Sequence, residues 1–172
     1  MSIVEGCHIS QEQKKMKDAW IQAVSKMTYG IYVLTSAHEK SVNGMIASWV
    51  SMVSFDPLLI MAAVHTNRYS HILLEKSGYF SLNILSRDQK TLLSRFKGSD
   101  SDDKFADIRW EKGITGCPIL LDSIGYIECK IKESYQPGNN TLFIGKIVDA
   151  KPFNNELPLS TIDYEGVYLG KN

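Results

Sequence analysis

From Asn43 to Ile60 the chain runs NGMIASWVSMVSFDPLLI, an extended pattern interrupted by small residues rather than by charges. Apolar Met45, Ile46, Val50 and Val53 are interleaved with Gly44, Ala47, Ser48, Ser51 and Ser54. A glycine beside small residues lets a flat ligand lie against the main chain. Hydroxyls and backbone N–H groups can then hold the polar edge of a ring or an anion. Taken alone, the stretch also fits an ordinary strand with a serine-rich end. It holds no acid–base pair, so chemistry here would have to come from something bound. Leu58 to Val64 then continues without a polar residue, as in a strand buried on both faces, and the preceding Asp56-Pro57 favours strand over helix.

The flanks build outward from this segment. Ile31, Val33 and Thr35 alternate with Tyr32, Leu34 and Ser36, and the polar His38 to Ser41 turns the chain, which predicts a hairpin. Ser10 with Gln13 has the form of a capping box ahead of Met16, Trp20, Val24 and Met27, the spacing of an amphipathic opening helix. Asn67 is placed to cap a short helix over Arg68 to Lys76 that stops at Gly78, and Ser86 with Gln89 opens a second before Leu92, Leu93 and Phe96. Tyr79 to Leu85 is a strand between them. Gly98 to Asp103 reads as an exposed loop. Ile127, Cys129 and Ile131 alternate with Glu128, Lys130 and Lys132, a strand with one wet face, and Pro137-Gly138-Asn139-Asn140 turns it into Leu142 to Val148. Mostly antiparallel strands with short helices at their ends predict a closed or nearly closed barrel, which removes vulnerable edges.

With 172 residues, 44% hydrophobic and 22% charged, the chain is expected to form one domain over 1–172, with 1–9 a mobile tail. Nineteen basic and nineteen acidic residues cancel, so no net field recruits nucleic acid or an anionic membrane. The longest apolar run, Pro57 to Val64, is far short of the roughly 20 residues of a spanning helix. Met1 to Lys17 lacks the apolar core of a signal peptide. Cys7, Cys117 and Cys129 are sparse and odd in number, which points to reduced thiols in a cytoplasmic protein. His8, His38, His65 and His71 lack paired ligand spacing, so no metal site is expected. Neither a G-x-G-x-x-G turn, a phosphate loop nor a nucleophile elbow is present.

Taken in series, Thr28 to Ser36, Asn43 to Ile60, Asn67 to Leu73 and Gly78 to Leu85 make a longer pattern. Lys104-Phe105 with Trp110, Gly113 to Pro118, Glu128-Cys129, Asn140 to Gly145 and Tyr164 to Tyr168 extend it. In that order and spacing the chain resembles the flavin reductase-like family of FMN-binding split-barrel proteins. The resemblance implies a mainly β fold, a six-stranded antiparallel Greek-key split barrel with short flanking helices. It also implies a homodimer binding flavin near the interface. Met45, Ile46, Ala47 and Ser48 would run beside the flavin ring with backbone N–H groups at its N5, O4 or O2 edge, and Trp49 would stand at the phosphate-side end. Asn67, Arg68, Tyr69 and Ser70 would hold the FMN phosphate.

Residue chemistry agrees at the last of these places. A helix start offers free N–H groups and a favourable dipole, and Arg68 adds a charge-matched fork, although a cap beside a surface arginine has the same local sequence. His71 reads as a helix-supporting hydrogen bond. Many family members carry a histidine at the position of Asn140, and an amide cannot act as a general acid or base. The Tyr69 and Thr28-Tyr29-Gly30 text is closer to flavoredoxin-like and rubredoxin-linked members than to reductases that feed monooxygenases. The expected activity is hydride transfer from NADH or NADPH to bound FMN, with FAD fitting less well. Electrons would pass on to free flavin, a small redox protein, an oxygenase or ferric iron. No side chain is assigned as catalytic. Two other readings stay open: an FMN electron-transfer module without nicotinamide oxidation, and a split-barrel protein for another ligand such as haem.

Overall fold

Strand β1 (Tyr32–His38) turns through Glu39-Lys40 into β2 (Ser41–Ala47), in a register running from Tyr32 opposite Ala47 to His38 opposite Ser41. Glu39 sits at φ 54, the left-handed conformation that a two-residue hairpin turn requires. The computed structural model describes residues 11–98 and 104–163. The 1–9 tail, the Ser10 cap, residues 99–103 of the acidic loop and the Tyr164 to Tyr168 segment lie outside them.

Two compact units are present, Tyr29–Tyr164 and a second one that contains the opening helix α1 (Gln11–Val24). α1 spans the predicted helical pattern, but Met27 lies beyond its end and none of its residues is buried. No helix among the described residues is long and apolar enough to cross a membrane.

The larger unit is built on one antiparallel sheet in the order β2-β1-β5-β8-β9-β4-β3. The remaining strands are β3 (Val50–Phe55), β4 (Leu58–His65), β5 (Tyr79–Ile84), β8 (Gly125–Tyr135) and β9 (Asn140–Pro152). A separate pair, β6 (Trp110–Lys112) and β7 (Pro118–Leu120), stands apart from the main sheet. The sheet has seven strands where six were expected, because the chain bends at Ser48-Trp49 and divides one long strand into β2 and β3. β3 and β2 occupy opposite ends of the sheet order, so this bent strand joins the two ends. The Ala63 N–H donates to Trp49 O at 2.9 Å, which carries the β3–β4 pairing to the bend. Leu34, Ala47, Ile60, Ala62, Val64, Phe80, Leu82, Cys129 and Phe143 fill the core with Leu74 of α2 (Tyr69–Ser77).

Three local expectations are corrected. β4 is buried on one face only: Ile60, Ala62 and Val64 point inward, while Leu58 is 43% exposed at the β3–β4 turn. Asn67 does not cap α2; Arg68 occupies the cap position in an extended conformation, and no side chain bonds the helix start. Glu128 does not lie on a wet face but is fully buried. Its carboxylate accepts hydrogen bonds from the Ile114 N–H at 3.0 Å, the Thr115 N–H at 2.9 Å and the Thr115 hydroxyl. A Cβ at Gly113 would collide with this carboxylate, which accounts for a glycine there. The Ser86–Gln89 capping box is present and opens a 3-10 helix over Arg87–Phe96.

Candidate functional site

Side chains alternate along β2 and divide the predicted ring-facing residues between two sides. Ala47 belongs to the core, with half-buried Met45 packed against it. On the other side Gly44 faces the Phe96 and Phe105 rings, where an added Cβ would meet Phe96 at 2.7 Å and Phe105 at 3.3 Å. Ile46 and Ser48 are buried, and Trp49 is 36% exposed. Side chains here therefore serve packing, and what this segment leaves open to a ligand is its backbone. β2 ends the sheet order, so one line of its backbone groups is not used by the ladder. Lys104, itself buried, donates from Nζ to Gly44 O at 3.1 Å, and the strand repeat turns the Ile46 backbone the same way.

The entry to α2 forms the second half of the site. Residue 65 consumes two amides in succession: the Asn67 N–H donates to His65 Nδ1 at 3.2 Å and the Arg68 N–H donates to His65 O at 3.0 Å. The His71 N–H turns back to Arg68 O at 2.9 Å. Tyr69 and Ser70 open the helix, where amides have no intrahelical acceptor, and none is found for them among the described residues. The Ser70 hydroxyl is already engaged, accepting from the Asn43 amide at 3.0 Å, and this bond ties the helix start to β2. Asn67 is exposed, Arg68 and Tyr69 are half-buried, and Ser70 is fully buried. Free N–H groups, the positive end of a helix dipole and a guanidinium together make a receptor for a phosphate-sized anion. His71 is buried, with Nε2 2.8 Å from Thr141 Oγ1, Nδ1 3.4 Å from the Glu75 carboxylate and its ring edge-on to Phe143. It anchors α2 to β9, the supporting role expected of it.

The sequence from residue 24 to residue 169 matches the flavin reductase like domain. The chain belongs to the flavin reductase-like family. Among its relatives is the reductase subunit HsaB of a flavin-dependent monooxygenase from Mycobacterium tuberculosis, 30% identical over 141 residues that cover 82% of this chain and 75% of the relative. A ferric-chelate reductase (NAD(P)H) from Archaeoglobus fulgidus is 28% identical over 155 residues, covering 88% of this chain and 92% of that protein. The solved structure of the flavin reductase HpaC complexed with NADP+ superposes with a TM-score of 0.76 at 26% identity, over 84% of this chain and 92% of the other.

Within this flavin reductase-like chain the Asn43–Ser70 bond ties the strand that leads into 45–49 to the helix start at 67–70. Asn43, Lys104 and His65 are the supporting residues that sequence reasoning did not single out for the site. Lys104 follows the acidic loop and enters the sequence pattern only beside Phe105, and nothing local marks its contact with Gly44. Neither described cysteine is suited to redox work. Burial is the main cause that raises Cys117 to about 11 and Cys129 to about 12, so both stay protonated at neutral pH. No group of three metal-ligating side chains occurs among the described residues.

Proposed function

We propose that this chain is an NAD(P)H-dependent flavin reductase-like oxidoreductase that holds FMN between β2 and the start of α2. The observation that carries the reading is the pair of amides at Tyr69 and Ser70, without an acceptor among the described residues, beside Arg68 on a helix start bound to β2 through Asn43. These residues fit a phosphate monoester, with Asn67 at the exposed rim, and a receptor of that size favours FMN over FAD. Along Met45 to Ser48 the backbone groups that the β1–β2 ladder leaves unused, those of Ile46 among them, would meet the ring, and half-exposed Trp49 would border it. Donors fixed by the strand favour negative charge at the ring's polar edge without moving a proton to a side chain. When bound, the flavin supplies the hydride-accepting and electron-passing chemistry, and the protein supplies position and exclusion of water.

The acceptor follows from the relatives only as a class: free flavin, ferric iron, an oxygenase or a small redox protein. The buried, protonated thiols accord with a cytoplasmic setting. A homodimer is supported by the β3–β4 hairpin, where Met52 is 57% and Phe55 80% exposed, since apolar ribbons of this kind are normally covered. Identifying the flavin released on denaturation, and following its anaerobic bleaching by NADH and by NADPH, tests the reading. FMN bleached by one or both nucleotides is expected. Bound FMN that neither nucleotide bleaches would leave an electron-transfer module instead, and a haem spectrum would overturn the reading altogether.

A further inference from the structure

His65 ends β4 opposite Asn140 of β9, immediately before the turn that leads into α2. Its ring is not an idle surface group. Nδ1 accepts from the Asn67 N–H two residues ahead, and the carbonyl of the same residue accepts from the Arg68 N–H. For Nδ1 to accept, the neutral ring must carry its proton on Nε2. On the next residue, the Thr66 N–H donates to Asn139 O at 3.1 Å, which pins the turn to the β8–β9 hairpin. The amides of residues 66, 67 and 68 are thus all spoken for, two of them by His65 alone. Tyr69 and Ser70 are the first in the run without an acceptor among the described residues.

We propose that His65 is a positioning residue for the flavin phosphate, fixing the 65–68 turn so that the Tyr69 and Ser70 amides and Arg68 are held ready for the anion. This rests on the phosphate reading of the α2 start. An imidazole accepting from the amide two residues on does what the side chain of an asparagine does in an Asx-turn. The role therefore demands an acceptor at that reach, not an imidazole as such. Without it the Asn67 N–H loses its partner and the turn must be ordered when the phosphate arrives, a cost that falls on phosphate-bearing ligands alone.

The test compares FMN and riboflavin binding to the full chain with His65→Val, which keeps a good strand former at the end of β4 but no acceptor, and with His65→Asn. FMN dissociation constants about 3–10-fold higher for His65→Val are expected, the value of one hydrogen bond. Riboflavin affinity should stay within about twofold, and His65→Asn should return FMN binding to near the parent. His65→Phe, which keeps the ring without the acceptor, gives the same comparison should the valine variant fail to fold. Equal weakening of FMN and riboflavin, unchanged FMN binding, or an asparagine variant no better than valine would each overturn the proposal. Arg68→Ala in the same titration separates the two levels. If Arg68→Ala weakens FMN selectively and His65→Val does not, the role of His65 alone is lost. An unselective effect of Arg68→Ala removes the phosphate site and, with it, this inference.

Discussion

Ala47 packs with Leu34, Ile60 and Ala62, so the smallness that suits a flat ligand is used there for packing. Gly44 repeats the point on the other side of β2, where the Phe96 ring takes the space of a Cβ. Small residues in this strand were legible as a sign of close approach, but not what approaches. That depends on a 3-10 helix more than forty positions further on. The consequence is measurable. Ala47→Leu adds three carbons to a filled core, and overpacking of this kind costs about 1–3 kcal/mol. Urea unfolding of the variant should show that loss. Parental stability would mean that the side chain has open space beside it, toward a ligand rather than the core. The choice of cap at α2 has the same origin. Asn67 is the better cap by composition, yet its N–H is drawn to His65 and the helix begins one residue later. Local propensity was outweighed by a contact that only the turn geometry creates.

At the level of elements, the two hairpins, the two short helices and the stop at Gly78 could be read from alternation, turn residues and caps, because those signals act within a few residues. What could not be read is how the small β6–β7 pair is held to the barrel. Thr35 Oγ1 donates to Pro118 O at 2.7 Å, the Leu120 N–H donates to Asn83 Oδ1 at 2.7 Å, and Glu128 accepts three hydrogen bonds from the 114–115 turn. In sequence, Glu128 sits between Ile127 and Cys129 and has every mark of a solvent-facing position. Only the turn at Gly113 to Gly116, closing over the carboxylate, reverses that. Hydrogen bonds to a charged group are worth about 1.5–3 kcal/mol. Glu128→Gln keeps the shape but puts an NH2 where one donor must be met, so a stability loss of that size is expected in denaturant titration. Amide exchange at residues 113–116 should accelerate with it. A variant as stable as the parent, with the turn still protected, would show that the clip does not need the charge.

For the whole molecule, β3 is the telling strand. It lies last in the sheet order, and Met52, Val53 and Phe55 are all exposed, with Leu58 opposite Phe55 also 43% exposed. An edge strand of this composition invites pairing or aggregation unless it is covered. The unbroken apolar run from Leu58 to Val64 reads as burial on both faces, because hydrophobicity in one dimension does not say which residues the chain itself covers. A second copy of the chain is the cover proposed here, and it would lie beside Trp49, at the head of the same strand and at the border of the proposed ring site. Replacing Met52 and Phe55 together with glutamate places two charges on this ribbon without touching the core. The expected result is a folded monomer by sedimentation equilibrium where the parent is a dimer. Flavin content should fall in the same samples, because the site would lose its neighbouring wall. A variant that stays dimeric and keeps its flavin would move the interface elsewhere. A parent that is monomeric at all concentrations would leave the exposed ribbon to a different partner and separate the flavin site from assembly.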